Sequence, residues 1–157
     1  MKYWLFKSEP DAFGIADLAR VGTEEWSGVR NFQARNLMKE MTVGDLGFFY
    51  HSSCTPPGIA GVLRVAAAAH PDSTQFDPRS DYHDGSSRKD NPKWWCVDVA
   101  YVATAPRFVP LDELRTMDDL VDMPLLRRGQ RLSVQPVSVR EWKAILRATG
   151  LTPADIS

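Results

Sequence analysis

The stretch WWCVDVAYVA, Trp94–Ala103, is the clearest β-strand in the chain and sets its fold class. Trp95, Val97, Val99 and Tyr101 alternate with Cys96, Ala100 and Val102, the two-residue period that sends successive side chains to opposite faces of a sheet. The same reading extends outward from it. Lys2–Lys7 is a short strand stopped by Ser8-Glu9-Pro10, and LGFFYHS is an aromatic strand entered through the Gly44-Asp45 turn. Val62–Ala69 is long enough for one curved strand, with Gly61 placed to supply a bulge. RLSVQPV alternates as well, with Leu132, Val134 and Pro136 on one side and Arg131, Ser133 and Gln135 on the other.

Helices are short and sit between these strands. Gly14 and Gly22 bracket one in which Ile15, Leu18 and Ala19 share a face. A second runs from about Asn31 to Met41, with Ala34, Leu37, Met38 and Met41 at helical spacing and Arg35, Asn36, Lys39 and Glu40 turned to solvent. Pro110 suits the first turn of a short helix carrying Leu111 and Leu114. The last helix has the sharpest local signature: Ser138 and Glu141 form a capping box, Val139, Trp142, Ile145 and Leu146 make an apolar stripe, and Gly150 ends it. His70–Lys93, polar and carrying Pro71, Pro78, Gly85 and Pro92, reads as a long loop of the kind that is functional or mobile. With no repeat, no linker and no β-α-β rhythm, residues 1–157 predict a single α+β domain. Its expected form is a small curved sheet or open barrel flanked by helices.

Composition restricts function. The 157 residues are 43% hydrophobic and 25% charged, ordinary for a globular domain. Lys plus Arg number 19 against 20 Asp plus Glu, a formal net charge of -1. Non-specific coating of DNA draws its affinity from phosphate neutralisation and needs a strongly basic chain, so any nucleic-acid role must rest on a local basic face and a specific pocket. Cys54 and Cys96 are far apart, fit no zinc spacing and are expected to be reduced, buried thiols. The opening MKYWLFKSEP is broken by Lys7, Glu9 and Pro10 and does not read as a secretory signal. With no apolar run of bilayer length, the expectation is a cytoplasmic monomer without membrane contact, cofactor or metal.

The most chemically suggestive segment is WSGVRNFQARN, Trp26–Asn36. Glu24 and Glu25 precede Trp26 and Ser27-Gly28 follow it, so the indole opens a turn instead of sitting in an apolar run. Two readings stand for it: an ordinary core tryptophan, or the wall of a slot for a flat ring, with a second aromatic such as Tyr82, Trp94 or Tyr50 opposite. Asn31 likewise reads either as a helix N-cap or as a reader of that ring's edge. Arg30, Arg127, Arg128 and Arg131 are candidate phosphate contacts, the RRGQR cluster above all, and Lys93 beside Trp94 pairs charge with aromatic surface on a smaller scale.

Catalysis finds little support. Ser52 and His51 are adjacent on a strand and face opposite sides, and no G-x-S-x-G elbow surrounds Ser52. A metal centre built from His51, Cys54, His83 and Cys96 lacks any recognised spacing, and no glycine loop cradles a phosphate. Two alternatives to a base-binding module remain open: a nucleoside-modifying or RNA-processing enzyme using Ser52, His51 or Cys54, and a protein-interaction adaptor.

Five ordered segments, YWLFKSEP, WSGVRNFQARN, FFYHSSCTPPGIAGVLRV, DNPKWWCVDV and RLSVQPVS, together resemble the EVE domain, a member of the PUA-like group. They run from Tyr3 to Ser138, nearly the whole chain. The resemblance implies a PUA-like curved mixed β-sheet or open barrel flanked by short helices, related to the YTH domains that cage a modified adenine. It also implies binding of a modified base, above all a methylated or hydroxymethylated cytosine, in DNA or RNA. Carried to this chain, it implies a pocket of Ser8, Trp26, Ser27 through its backbone, Val29, Asn31 and Ser52, with Ser133 and Arg131 near the mouth. Two positions depart from the family pattern: Ser27 where Asp is usual, and Phe32 where Tyr is frequent.

Overall fold

In the computed structural model, which describes residues 1–157, strands and helices follow one another with short connections. They are β1 (Tyr3–Ser8), α1 (Pro10–Phe13), α2 (Ile15–Val21), β2 (Thr23–Glu25), α3 (Phe32–Lys39), β3 (Leu46–His51), β4 (Gly58–Pro71), β5 (Trp95–Pro110), α4 (Leu111–Leu114), β6 (Val134–Val137) and α5 (Val139–Thr149). The six strands form one open mixed sheet in the order β2-β5-β4-β3-β1-β6. β1 runs parallel to β3, and every other pairing is antiparallel. No helix is long and apolar enough to cross a membrane.

Both faces of the sheet are covered. Trp4 and Phe6 of β1 and Phe49 of β3 point to one side, where Ile15 and Leu18 of α2, Ala34 and Met38 of α3, and Trp26 pack on them. Leu5, Phe48 and Tyr50 point to the other, beneath Leu114 of α4 and Trp142, Ile145 and Leu146 of α5. A strand buried on both faces carries a continuous apolar run, as β1 and β3 do. α5 is capped at both ends as its sequence predicts: Ser138 and Glu141 form the box, and Gly150 at φ 84° closes it.

Three departures from the strand reading have local causes. β4 and β5 span 14 and 16 residues, longer than their periodicity predicts, and their register shifts between Ile59 and Gly61 and again between Val65 and His70. Bulges re-aim side chains, so Cys96 joins Val97 and Val99 in one core instead of facing away from them. β6 is an edge strand in which Gln135 is fully buried and Pro136 exposed, the reverse of the simple alternation. A missing amide hydrogen is tolerated at a sheet edge, and Gln135 is held by donating Nε2 to Leu132 O at 2.9 Å. Ala19 and Val139 are also exposed, at the solvent margins of their helices.

Candidate functional site

The turn after β2 hangs between the sheet and the 72–94 segment. Trp26 N donates to Val97 O at 2.9 Å, extending the β2–β5 pairing by one residue. The chain then bends through Gly28 at φ +87° before Asn31 starts α3. Tyr82 lies flat against Gly28: a Cβ there would meet the tyrosine ring at 2.7 Å. Glycine is thus required both by the left-handed backbone and by the approaching ring.

Between Trp26 and Tyr82 opens a cleft of two lobes that share Ser8, Ala12, Trp26, Ser27 and Tyr82. The first, about 230 Å³, adds Phe13, Glu24 and Glu25; the second, about 360 Å³, adds Lys7, Glu9, Val29, Arg30 and Ser133 among others. Both readings of Trp26 hold at once. It is 7% exposed, wedged at steep angles among Phe6 (5.2 Å between centroids), Phe49 (5.5 Å) and Phe13 (6.4 Å), and what surface remains lines the cleft. The expectation of an indole laid open as a landing surface is therefore corrected. The exposed aromatic of the cleft is Tyr82, at 47%. Of the other aromatics considered opposite Trp26, Trp94 is stacked on Phe32 at 4.8 Å. Tyr50 is buried on the far face of the sheet, its hydroxyl pushed up to about 12 chiefly by that burial.

Arg30 is not a free phosphate contact, because the protein uses its guanidinium completely. Nη1 reaches Asp72 Oδ2 (3.1 Å) and Val29 O, Nη2 reaches Thr74 Oγ1 (3.0 Å), and Nε and Nη2 both donate to Tyr82 O (3.1 and 2.7 Å). The group also lies 5.7 Å from the Tyr82 ring and 5.3 Å from that of Trp94. Asp72, 1% exposed, accepts from Gly28 N (2.8 Å) and from Thr74 N and Oγ1. Burial alone would raise its carboxyl, but the hydrogen bonds from Thr74, Gly28 and Arg30 outweigh it and hold the acid below the usual carboxylate range. Buried Gln75 bridges Asp72 O and Trp94 O and accepts from Trp94 N and Ser87. The long loop of the sequence reading is therefore stitched along its length, and Tyr82 is its positioned tip.

The remaining expected residues divide. Ser8, Ser27, Val29 and Ser133 line the cleft. The Ser8 hydroxyl donates to Phe13 O (2.6 Å), and the Ser27 amide to Glu25 O, which leaves the Ser27 carbonyl and hydroxyl as its usable groups. Asn31 does not reach the cleft: it is exposed, and its Oδ1 caps α3 by accepting from Ala34 N (2.9 Å). Ser52 stands behind the wall, donating its amide to Ser8 O. Lys93 lies outside the cleft with Nζ on Ser86 Oγ, whereas Arg127, Arg128 and Arg131 are exposed with no carboxylate partner. The catalytic suspects are occupied too. His51 Nε2 accepts from Ile15 N (3.1 Å), its imidazole lowered by burial, and the half-buried Cys54 contacts Pro56 O. Lys7 and Glu24 escape the sequence reading. Lys7 lines the second lobe with its amine lowered by burial, and a lysine closing the apolar run YWLF is the available signal.

Comparisons with known proteins bear on the family and the fold. The sequence model of the EVE domain matches residues 2–148. Thymocyte nuclear protein 1 of Danio rerio is 44% identical over 162 residues, 91% of this chain and 70% of that protein. A Pseudomonas putida crystal structure superposes with a TM-score of 0.92 at 51% identity, covering 94% of this chain and 99% of its own. The human THYN1 protein, solved in complex with DNA containing 5-methylcytosine, superposes with a TM-score of 0.90 at 41% identity, covering 98% and 100%.

Proposed function

The chain belongs to the EVE domain family, and we propose that it reads modified cytosine in DNA by seating one flipped base in the cleft between Trp26 and Tyr82. The observation that carries this reading is the cleft itself: an exposed tyrosine ring held over a glycine turn, lining one cavity with Trp26. The likeness to a protein solved with 5-methylcytosine DNA supports the choice of base.

The energetics assign separate tasks. Extruding a base costs a few kcal/mol, and stacking on Tyr82 returns ~1–3 kcal/mol without distinguishing bases. Identity is read at the edge, where acidic side chains suit the N4 amino group of cytosine. Glu25 already accepts from Ser73 and Cys96, so the acceptor for that amine is Glu24, which makes no hydrogen bond from its side chain within the protein. Lys7 in the second lobe meets the phosphate of the flipped nucleotide. The methyl group adds about 0.8 kcal/mol on burial, a few-fold in affinity.

The test is fluorescence anisotropy on duplexes carrying 5-methylcytosine, cytosine or thymine at one position, with the methylated base in RNA as a further arm. Binding is expected to be a few-fold tighter to 5-methylcytosine than to cytosine. Thymine, which lacks the amine, should be weakest, and Glu24→Gln should narrow the gap between them. Equal affinity for all three duplexes would overturn the reading.

A further inference from the structure

We propose that Glu25, His70 and Cys96, with Asp98 beside them, form a binding site for a divalent transition-metal ion of the zinc class. The inference does not rest on DNA binding. It rests on strand register: Asp98 of β5 is the cross-strand partner of Glu25 on β2, and Cys96 of β5 is that of His70 on β4. Three neighbouring strands thus aim a thiol, an imidazole and two carboxylates at one point.

The donor atoms of Glu25, His70 and Cys96 all lie within 4.8 Å of one another, and this is the one such set of three or more donors in the molecule. Cys96 Sγ is 3.4 Å from Glu25 Oε1, and His70 Nε2 is 2.8 Å from Asp98 Oδ1. Tetrahedral zinc with bonds of about 2.0–2.3 Å holds its ligands roughly 3.5 Å apart, so small side-chain rotations close the site. A backbone carbonyl on the other ring nitrogen is a usual means of orienting a metal-bound histidine. Pro71 O lies 3.1 Å from His70 Nδ1, which leaves Nε2 to the ion and Asp98, 2.8 Å from Nε2, as a carboxylate at its edge.

The donor set selects the metal. One sulfur, one nitrogen and one oxygen suit zinc and its neighbours, whereas calcium and magnesium take oxygen alone. Electrostatics agree. Cys96 is 0% exposed, and its thiol is pushed far up by burial and by the Glu25, Asp72 and Asp98 carboxylates. Burial alone would lower His70, but Asp98, Pro71 O and Glu25 outweigh it and raise its imidazole. The Arg30 guanidinium is committed to Asp72. Two carboxylates beside a buried thiol make this an electronegative pocket. On binding, the ion replaces the thiol proton of Cys96, which passes to solvent. Three protein ligands leave a fourth position for water. Since Glu25 also lines the cleft, the ion pins the strand entering Trp26 to the root of the Tyr82 segment.

The test titrates the metal-free full-length protein with Co²⁺ as an optical probe and with Zn²⁺ by calorimetry. One equivalent of Co²⁺ is expected to give thiolate-to-cobalt charge-transfer absorption that Zn²⁺ displaces. Cys96→Ser should abolish the band and Cys54→Ser should keep it. Glu25→Gln and His70→Gln should weaken binding at least about tenfold. Circular dichroism of each metal-free variant separates lost ligation from lost fold. Should Cys96→Ser fail to fold, the half-exposed Glu25 and His70 decide the matter. No band in the native chain, a band dependent on Cys54, or unchanged affinity in both Glu25→Gln and His70→Gln overturns the site.

Discussion

Arg30 and Arg128 read alike in the sequence, each near a glycine turn and each suited to a phosphate, yet they occupy opposite situations. Arg30 sits between Tyr82 and Trp94 with its nitrogens committed to Asp72, Thr74, Val29 and Tyr82. Arg128 lies on the exposed connection before β6, between Arg127 and Arg131, and none of the three pairs with an acid. A guanidinium that satisfies a buried carboxylate cannot also bind DNA without exposing that carboxylate's charge to an apolar interior. The first region therefore builds the site, and the second keeps its guanidiniums free at the surface.

Separating them by stability gives the largest expected effect. Arg30→Ala strands the Asp72 carboxylate at 1% exposure and should cost about 3–5 kcal/mol in denaturant unfolding. Arg30→Lys should recover little, since a point charge cannot reproduce the forked hydrogen bonds. Arg128→Ala should stay within about 0.5 kcal/mol of the native chain. If Arg30→Ala unfolds at the native midpoint and only DNA affinity falls, the division of roles fails.

Acid attacks the same clamp from its other end, and more gently, because protonation removes the charge that burial penalises. The folded-state pKa of Asp72 lies below its unfolded value through its hydrogen bonds, and that of Asp45 likewise through Thr42, Trp4 and Lys2. The unfolded chain therefore takes up protons first as pH falls. The stabilisation is complete above the unfolded carboxylate pKa near about 4 and is lost as pH falls through the lower folded values. Unfolding followed from pH 6 down should show this slope, and Asp72→Asn should flatten it. A slope of opposite sign would contradict the assignment.

What the sequence disclosed follows from range. Local features were legible because their partners lie within a turn: the Ser138–Glu141 box, the Gly14 and Gly22 bracket, and the Asn31 cap that competed with a base-reading role and took its oxygen. The α+β sheet was legible from its two-residue periods, and the family from five ordered blocks. Pairings between distant positions were not. Nothing around Arg30 announces Asp72, 42 positions away, and nothing around Glu25 announces Cys96, 71 away. Those partners depend on how β2, β4 and β5 are paired and on the β4–β5 register shifts, which period alone cannot fix.

Tyr82 tests the product of the first region. Its ring is half-exposed and rests on Gly28, so Tyr82→Ala should change stability little while removing ~1–3 kcal/mol of DNA binding. Tyr82→Phe should retain most of the affinity, because the ring supplies the stacking. Gly28→Ala should mimic Tyr82→Ala by displacing the ring, with added backbone strain from its positive φ. Loss of binding in Tyr82→Phe alone would shift the role from stacking to the hydroxyl.

The second region is tested by salt, where each effect is small and uniform. A net charge of -1 gives the protein no general attraction for a polyanion, so the dependence of affinity on ionic strength counts only the cations that touch phosphates. Each neutralised phosphate contributes about 0.9 to the slope of log affinity against log salt on B-DNA. Arg127→Ala, Arg128→Ala and Arg131→Ala should each lower affinity equally for methylated and unmethylated duplexes, and the slope should fall by about one for every phosphate left without its arginine. The ratio between the two duplexes, set inside the cleft, should not move. If the triple variant keeps the native slope, the phosphates lie elsewhere, and Lys7, a cation lining the cleft without a carboxylate partner, becomes the side chain to remove next.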